Sequence, residues 1–510
     1  MKSFKLLGAV GLITMVAAAA CGGESASDTD GSGGATASAS VGNGPSSSVA
    51  GPTSSVAGPA STGSGMTPDD ESKSCADAVE LKAGKNNQSG ISYLFAEGIL
   101  AEPNDKDFFK FTAKKGDYIN VGTVANADDD PMLVDTVVSL LSADGKTVFA
   151  EVDDSFPRIS TDSNFDFRVP ADGTYCLQVQ EFSAWAGDDP EGDPTYQYAA
   201  VVLPYDDANL KLLSGLTFDK EPNDSPAAAQ PLVTRTVGMD LQIAGNFFGL
   251  LDPKTDKDVF LLKAPTGALA MSLTFQPSGS TNGNGSTGNI GLVNIWNSTG
   301  TKLLAQLDYG QATAQVNSGG DYGFASIPVT ADGTYLVEVN RKAGAEVGEN
   351  DFYAFLAVTS DVVNPQETDD TANATLMGAE ATMPQVNQND PNFTNRFIGG
   401  GIPAGDTDFW KLDVEKDEKI IVVCSARRAG AGVADFTVEL IGPDKTTSLQ
   451  KEVEDPTKAL LWSDEGQTKS LNAVKAATTG TYYLKLSALT PIMGGATLAW
   501  YQCGLHTQSP

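Results

Sequence analysis

The stretch Asp105–Phe111, which reads Asp-Lys-Asp-Phe-Phe-Lys-Phe, decides the fold because close copies of it occur twice more in the chain. The copies are Asp-Lys-Asp-Val-Phe-Leu-Leu at Asp256–Leu262 and Asp-Thr-Asp-Phe-Trp-Lys-Leu at Asp406–Leu412. In each copy two large apolar residues stand two positions apart, so they share one face of a strand. The first copy therefore predicts a strand with Phe109 and Phe111 on its buried face.

Two further signatures accompany each copy in the same order. The second aspartates of successive copies are 151 and 150 residues apart, from position 107 to 258 to 408. A strand of the form Gly-Thr-Tyr-x-Leu-x-Val or a close variant occurs at Gly173–Val179, Gly333–Val339 and Gly480–Leu486. Between the two strands, an apolar run ends in a hairpin turn at Leu140–Lys146, Ile295–Thr301 and Leu440–Lys445. Three signatures in fixed order, three times, indicate triplication of one domain.

The repeats predict an all-β protein of three tandem antiparallel jelly-roll-like β-sandwich domains after a disordered linker. Short alternating strands separated by Gly, Asn and Asp turns are typical of such sandwiches. We place the domains at residues 70–204, 205–362 and 363–506. The second domain carries an extra Gly/Asn/Ser-rich loop, Gln276–Asn289, which we expect to be exposed and mobile.

The start of the chain has the features of an export signal. Lys2 and Lys5 precede the apolar run Leu6–Ala20, which is followed at once by Cys21. The sequence before Cys21 resembles the lipobox of bacterial lipoproteins, which implies a signal peptide at residues 1–20 and lipid attachment to Cys21; the alternative is an ordinary secretory signal. Gly22 suggests sorting to the outer membrane, so we expect a lipid anchor in the cell envelope.

Residues 21–69 consist mainly of Gly, Ser, Ala, Thr, Val and Pro and predict a disordered tether. The whole chain has a formal net charge of −32, which repels phosphate backbones and argues against nucleic-acid binding.

The chain has one histidine, His506, in what looks like a polar tail. Catalytic systems that need a positioned imidazole are therefore not expected, and no HExxH, GxSxG or Walker motif occurs. We predict no catalytic residues. Hydrolysis by a pair of carboxylates stays open, because the chain has 65 Asp and Glu residues.

Four cysteines remain if Cys21 is lipidated, and an even number in an oxidising compartment suggests disulfides. Two of them lie early in the folded region and two lie late. We favour Cys75 with Cys176 and Cys424 with Cys503; the alternative is four free buried thiols.

The repeats resemble the bacterial pre-peptidase C-terminal domain, a jelly-roll β-sandwich module of secreted peptidases and surface proteins. The resemblance rests on Glu-Pro-Asn-Asp-Ser at Glu221–Ser225, the Asp-x-Asp-Phe strand and the Gly-Thr-Tyr strand. The third repeat has Glu367–Asp370 (Glu-Thr-Asp-Asp) instead, and in the first repeat Glu102–Asp105 (Glu-Pro-Asn-Asp) is fused directly to the strand.

The resemblance implies a non-catalytic binding or structural role for a cell-surface or periplasmic lipoprotein, in adhesion or as an accessory module. The partners would be the membrane, through the lipid, and an extracellular polymer or protein. The alternatives are a carboxylate-dependent extracellular hydrolase, or a spacer or partner of a separate secreted peptidase.

Some related modules bind calcium through an acidic entrance segment, which implies calcium sites here. Ca²⁺ takes about six to eight oxygen ligands, and two acidic clusters in each repeat could supply them. The expected ligands are Glu221, Asn223, Asp224, Asp256 and Asp258 in the second domain and Glu367, Asp369, Asp370, Asp406 and Asp408 in the third. The alternative is that the entrance motif is a proline-set turn and the Asp-x-Asp pair caps a strand.

Overall fold

A computed structural model gives the conformation of the chain from residue 72 to 509, with gaps. The described residues are 72–125, 134–154, 162–237, 242–253, 255–268, 270–276, 278–281, 283–288, 290–308, 322–329, 331–360, 372–386, 393–426, 431, 435–453, 474–490 and 499–509. Cys21, the predicted signal peptide and the predicted tether lie outside them. Among the described residues, no helix has the length and apolar character needed to cross a membrane.

The described elements are almost all strands. The strands are β1 (Val79–Glu80), β2 (Lys82–Lys85), β3 (Ser92–Ile99), β4 (Lys106–Ala113), β5 (Tyr118–Val124), β6 (Thr136–Ser142), β7 (Val148–Val152), β8 (Asn164–Arg168), β9 (Gly173–Glu181), β10 (Gln197–Pro204), β11 (Leu216–Phe218), β12 (Gln230–Pro231), β13 (Arg235–Val237), β14 (Gln242–Leu250), β15 (Lys257–Lys263), β16 (Ala270–Phe275), β17 (Ile290–Asn297), β18 (Leu303–Asp308), β19 (Tyr322–Pro328), β20 (Thr334–Arg341), β21 (Phe352–Ser360), β22 (Glu380–Ala381), β23 (Gln385–Val386), β24 (Phe393–Gly401), β25 (Thr407–Val414), β26 (Lys419–Ser425), β27 (Phe436–Ile441), β28 (Ser448–Val453), β29 (Val474–Lys475), β30 (Gly480–Ala488) and β31 (Trp500–Gln508). The short helices are α1 (Phe182–Ala186), α2 (Asp207–Leu210) and the 3₁₀ turns η1 (Pro226–Ala228) and η2 (Leu376–Gly378).

Within the described residues these strands form six sheets, which pair into three consecutive sandwiches. The first sandwich combines β1-β4-β9-β6-β7 with β2-β3-β10-β5-β8. The second combines β12-β15-β20-β17-β18 with β11-β14-β21-β16-β19, to which β13 is also paired. The third combines β22-β25-β30-β27-β28 with β23-β24-β31-β26-β29. The predicted all-β class is confirmed.

The signature strands lie at the centre of each sandwich, as their alternation predicts. β4 pairs with β9, β15 with β20 and β25 with β30, all antiparallel. Phe109 and Phe111 are each 4% exposed and pack in the core with Tyr175 and Leu177. The alternate residue Cys176 faces the other side of the sheet, where it joins a small separate cluster.

Each sandwich has a two-residue edge strand that is parallel to its neighbour, and the second sandwich has another parallel edge strand, β11, which pairs with β14 over three residues. β1 pairs with β4, β12 with β15 and β22 with β25 over two residues each. After this edge strand the chain crosses to the second sheet and then returns to the strand beside it; in the second repeat β11, which belongs to the second sheet, precedes the edge strand. The entrance strand and the returning strand therefore run in the same direction.

Both predicted disulfides are confirmed. Cys75 is bonded to Cys176 and Cys424 to Cys503, with sequence separations of 101 and 79 residues. The first bond joins the entrance segment to β9. The second joins directly opposite residues of the neighbouring strands β26 and β31.

The Gly/Asn/Ser-rich loop is only partly exposed: Ser280, Thr281 and Thr287 are exposed as predicted, whereas residues 283–286 dock on the first sandwich. The N–H of Gly283 donates to the carbonyl of Glu151 in β7 (3.1 Å), and Asn284 is only 1% exposed. Gly285 lies so close to Phe149 that a Cβ atom there would stand 2.6 Å from its carbonyl oxygen. Glycine has no side chain, so two backbones can approach each other closely. A glycine-rich sequence therefore fits this docked loop as well as it fits a mobile loop.

His506 does not lie in a tail, contrary to the prediction. It belongs to β31, and its Nδ1 lies 2.8 Å from Oδ1 of Asn395. Burial lowers the pKa of the imidazole, and the nearby charge of Arg396 lowers it further. The strand pairs with β24 on one side and β26 on the other, so the last residues complete the third sandwich.

Candidate metal centre

The second sandwich is entered through a short segment between β11 and η1. Asp219 directly follows β11, and its N–H donates to the carbonyl of Phe248 (2.7 Å). Further along, the carbonyl of Asn223 accepts the N–H of Val259 in β15 (3.1 Å). This bond holds the entrance segment against the start of the strand that follows Asp256, so the two acidic stretches of the repeat meet.

The carboxylates of the two stretches converge in two overlapping groups. One oxygen each from Asp219, Glu221 and Asp258 lie within 4.8 Å of one another, and so do one oxygen each from Glu221, Asp224 and Asp256. Glu221 belongs to both groups. The structure thus brings together the four carboxylates expected in this repeat and adds Asp219.

Two buried oxygens of this centre have no hydrogen-bond partner among the described residues. The amide of Asn223 donates to Oδ1 of Asp219 (2.6 Å), while its own Oδ1 accepts nothing. Oδ2 of Asp258 accepts the hydroxyl of Tyr353 (2.5 Å), while its Oδ1 has no donor. Asn223 and Asp258 are both 0% exposed, so bulk solvent does not reach these oxygens.

Burial and mutual repulsion favour the protonated forms of these carboxyls. Burial, and then the charge of Asp219, raises the pKa of Asp258 to about 8. Burial raises the pKa of Asp256 to about 7, although its carboxylate accepts the N–H of Asp252. Burial, followed by the charge of Glu221, raises the pKa of Asp219 to about 6. A cation among them would remove this repulsion.

The donors are all oxygens, from carboxylates and one side-chain amide. Such a set suits a hard divalent cation rather than zinc or copper, which prefer nitrogen or sulfur. Ca²⁺ accepts more ligands and looser geometry than Mg²⁺. The residues present therefore fit calcium, and the two unsatisfied buried oxygens are the atoms that a cation would satisfy.

The second aspartate of the Asp-x-Asp pair also has a structural role, which sequence reasoning missed. Tyr353 on β21 donates to Asp258, and Tyr198 on β10 donates to Asp107 at the same distance, 2.5 Å. Each pair links the two sheets of its sandwich. The signal was present in the sequence, because a tyrosine recurs near the start of the last strand of each repeat.

The third repeat is only partly described. Glu367, Asp369 and Asp370 lie outside the described residues, whereas Asp406 is half-buried and Asp408 is 0% exposed.

The contact equivalent to that of Asn223 is made in the third repeat by Asn373, whose carbonyl accepts the N–H of Phe409 (2.9 Å). Because it makes the same hydrogen bond, Asn373 is the structural equivalent of Asn223 in the third repeat. The motif Glu367–Asp370 had suggested Asp369 for that position. Ala374 then stands where the second repeat has Asp224.

In the first repeat the Glu-Pro-Asn-Asp tetrapeptide lies elsewhere. The N–H of Asp105 donates to the carbonyl of Glu102 (3.0 Å), which closes a turn just before β4. The equivalent turn of the second repeat ends at Asp256, which donates to the carbonyl of Pro253 (2.9 Å). The entrance position itself is taken by Ser72, whose hydroxyl accepts the N–H of Phe108 (3.2 Å).

Comparison with known proteins gives one local similarity in sequence. No family model matches the chain. A probable subtilase-type serine protease of Deinococcus radiodurans is 35% identical over 114 residues, which is 22% of this chain and 14% of the protease. The chain therefore matches a small part of that protein's length.

Two solved structures illustrate the structural comparison. PliG of Aeromonas hydrophila, a periplasmic inhibitor of g-type lysozyme, is 16% identical and covers 25% of this chain and 95% of its own, with a TM-score of 0.18. The tandem CBM51 modules of a family 98 glycoside hydrolase from Streptococcus pneumoniae are 9% identical and cover 53% of this chain and 84% of their own, with a TM-score of 0.16.

Proposed function

We propose that the chain is a lipid-anchored protein of the cell envelope. Its three sandwiches are non-catalytic binding or structural modules related to the pre-peptidase C-terminal domain. The second module holds calcium at its entrance. The observation that carries the proposal is the meeting of five carboxylates and the buried amide of Asn223 at that entrance. The local similarity to a subtilase-type protease and the threefold signatures support the family relationship.

The placement of Asp107 and Asp258, two carboxyls with raised pKa, supports a non-catalytic role for both. Burial raises the pKa of Asp107 to about 7 and that of Asp258 to about 8. A general acid or base must reach the substrate, yet these residues are 2% and 0% exposed and each is covered by a tyrosine hydroxyl. Their perturbation comes from their position between two sheets.

Calcium would act on folding rather than on chemistry. Bound at the centre formed by the two carboxylate groups that share Glu221, it would join the entrance segment to the start of β15. A ligand that binds only the folded state stabilises it by about 2.7 kcal/mol at a concentration of one hundred times Kd. We expect the unfolding temperature of the second module to rise with calcium.

Titration of calcium into the full chain during thermal unfolding tests this proposal. Asp224→Asn should abolish most of the shift, whereas Asp188→Asn, which removes the same charge from an exposed site in the first sandwich, should leave it intact. If millimolar magnesium moves the transition as far as calcium does, or if both variants behave alike, the entrance is an ordinary acidic turn.

The anchor and the ligand need separate experiments. Cells fed a clickable palmitate should label the wild-type protein and not Cys21→Ala; equal labelling would rule out the lipid anchor. For the binding role, the purified chain can be tested against matrix polymers, glycans and outer-membrane proteins. Turnover of any substrate that disappears on changing one carboxylate pair would instead favour the hydrolase.

A further inference from the structure

The first two sandwiches meet through aromatic rings. The ring of Tyr118 on β5 packs against three rings of the second sandwich, those of Phe218, Phe248 and Phe352, at centroid distances of 5.1, 5.6 and 6.3 Å. Phe352 is buried within the core cluster of the first sandwich. We call this contact of four rings the seam. A packed apolar interface restricts the relative motion of two domains.

The carboxylate centre of the second sandwich is attached to the seam at Asp219. This residue directly follows Phe218, and its N–H donates to the carbonyl of Phe248 (2.7 Å). The rings of Phe218 and Phe248 stack at 4.8 Å with an angle of 16° between their planes. The position of the Asp219 carboxylate therefore depends on two rings against which Tyr118 packs.

A second attachment runs along β21. Neighbouring residues of a strand point to opposite faces, and here Phe352 packs in the first sandwich while Tyr353 packs inside the second. The hydroxyl of Tyr353 donates to Oδ2 of Asp258 (2.5 Å). A shift of β21 against the first sandwich would therefore move the donor that orients Asp258.

The side chain of Tyr118 is also near the centre electrostatically. Burial raises the pKa of its hydroxyl, the charge of Arg168 lowers it, and the charges of Asp219 and Asp258 raise it further. Among the described residues, the acidic groups that converge closely enough for a metal all belong to the second sandwich. The first sandwich thus borders the centre without contributing a carboxylate to it.

We propose that Tyr118 is a positioning residue for the calcium centre of the neighbouring sandwich. Its ring holds Phe218 and Phe248, and through them Asp219, in the arrangement that binds the ion. This inference rests on the calcium site proposed above. Coupling between two equilibria is reciprocal, so calcium binding also tightens the seam by the same factor. Such couplings typically change an affinity about 5- to 150-fold.

Isothermal titration calorimetry of calcium into the full chain tests this role, with circular dichroism to show that each variant is folded. Tyr118→Ala removes the ring and should weaken calcium binding by a factor of about 5 or more. Tyr118→Phe keeps the ring and should bind calcium as tightly as the wild type. The control is Tyr196→Ala, which removes another partly buried tyrosine of the first sandwich, one whose hydroxyl donates to Glu191 (3.1 Å). It should leave the affinity unchanged.

Hydrogen exchange of the wild-type chain measures the reciprocal effect without any substitution. The N–H of Asp166 on the edge strand β8 donates to Oε1 of Gln276 in the second sandwich (3.2 Å), so it exchanges when the two sandwiches separate. Calcium should slow this exchange by a factor of about 5 or more relative to EDTA. The N–H of Leu81, which donates to the carbonyl of Lys110 within the first sandwich (3.0 Å), should exchange at the same rate in both conditions.

The outcomes separate this inference from the calcium site itself. If calcium binds, and Tyr118→Ala binds it as tightly as the wild type or the exchange of Asp166 does not change, the positioning role is wrong and the calcium site stands. Equal weakening by Tyr118→Phe and Tyr118→Ala would assign the effect to the hydroxyl and overturn the role of the ring. If Tyr118→Ala does not fold, the exchange of Asp166 decides. A wild-type chain that binds no calcium refutes both proposals.

Discussion

Replacement of Gly285 by alanine tests whether the Gly/Asn/Ser-rich loop is docked. Gly285 has a φ of +77°, and a Cβ atom there would lie 2.6 Å from the carbonyl oxygen of Phe149 and 2.9 Å from the ring of Phe167. Gly344 has the same φ of +77°, and nothing lies within 4 Å of the position that its Cβ atom would take. It is therefore a matched control that shares the backbone cost and lacks the clash.

The magnitude follows from the difference between the two substitutions. Alanine in the left-handed region costs about 1–2 kcal/mol, and this cost cancels in the comparison. Overpacking costs about 1–3 kcal/mol, and the facing atom at Gly285 is a backbone carbonyl that cannot rotate away. We expect Gly285→Ala to destabilise the docked loop by that amount more than Gly344→Ala destabilises its own turn.

Native-state hydrogen exchange measures this difference directly. The amide of Gly283, which donates to Glu151, exchanges when the loop opens. A loss of about 1–3 kcal/mol raises its exchange rate roughly 5- to 150-fold. Gly344→Ala should leave the rate unchanged. If Gly285→Ala also leaves it unchanged, the loop is not held against the first sandwich.

Three further predictions concern single bonds and groups. Replacing Cys424 and Cys503 together by alanine should lower the free energy of unfolding by about 4 kcal/mol, because the bond closes a 79-residue loop; urea unfolding with and without reductant should show it. Tyr353→Phe removes the hydroxyl that donates to buried Asp258 and should cost about 1–3 kcal/mol in the same assay; an unchanged midpoint would contradict the cross-sheet role. Burial raises the pKa of Asp166 to about 6, so the folded state favours its protonated form and stability should increase, by up to about 3 kcal/mol, as pH falls from 6 to 4; Asp166→Asn should remove that part of the pH dependence.

The fold was predictable because its signal is periodic. Alternating apolar residues in the Asp105–Phe111 stretch and its copies set the buried faces, and those faces are observed. The disulfides were predictable from chain position, since each pair lies within one repeat.

The position of β31 was predictable in principle. Tyr501, Cys503 and Leu505 alternate with glycine and polar residues in the sequence, and all three are buried.

Contacts between repeats were not predictable from local composition. Glycine and asparagine are common in mobile loops. They also occur where the backbone packs closely against another segment of the chain, as at Gly283 and Gly285. The Glu-Pro-Asn-Asp tetrapeptide shows the same ambiguity. Its proline and polar residues favour a turn wherever they occur, and the chain uses one copy before β4 and the other at the entrance of the second sandwich, which are different places in the repeat.

The entrance segments show why a cation would be useful at this point of the fold. Each joins one sheet through a strand of two residues, which is too short to be stable alone, and in the second sandwich the three-residue strand β11 precedes it. Cys75, Pro226 and Leu376 occupy the equivalent position in the three repeats. Each attaches its entrance segment to the sandwich by a different kind of contact.

Cys75 is covalently bonded to β9. Leu376 packs against an apolar cluster that contains Tyr483. Pro226 lies against the turn at Gly300, and among the described residues this is the repeat in which five carboxylates meet. The three repeats would then attach the entrance segment to the sandwich in three ways: by a disulfide, by an apolar contact and by a calcium site. On this reasoning, loss of calcium should loosen the entrance of the second sandwich, while the first keeps its entrance through its disulfide.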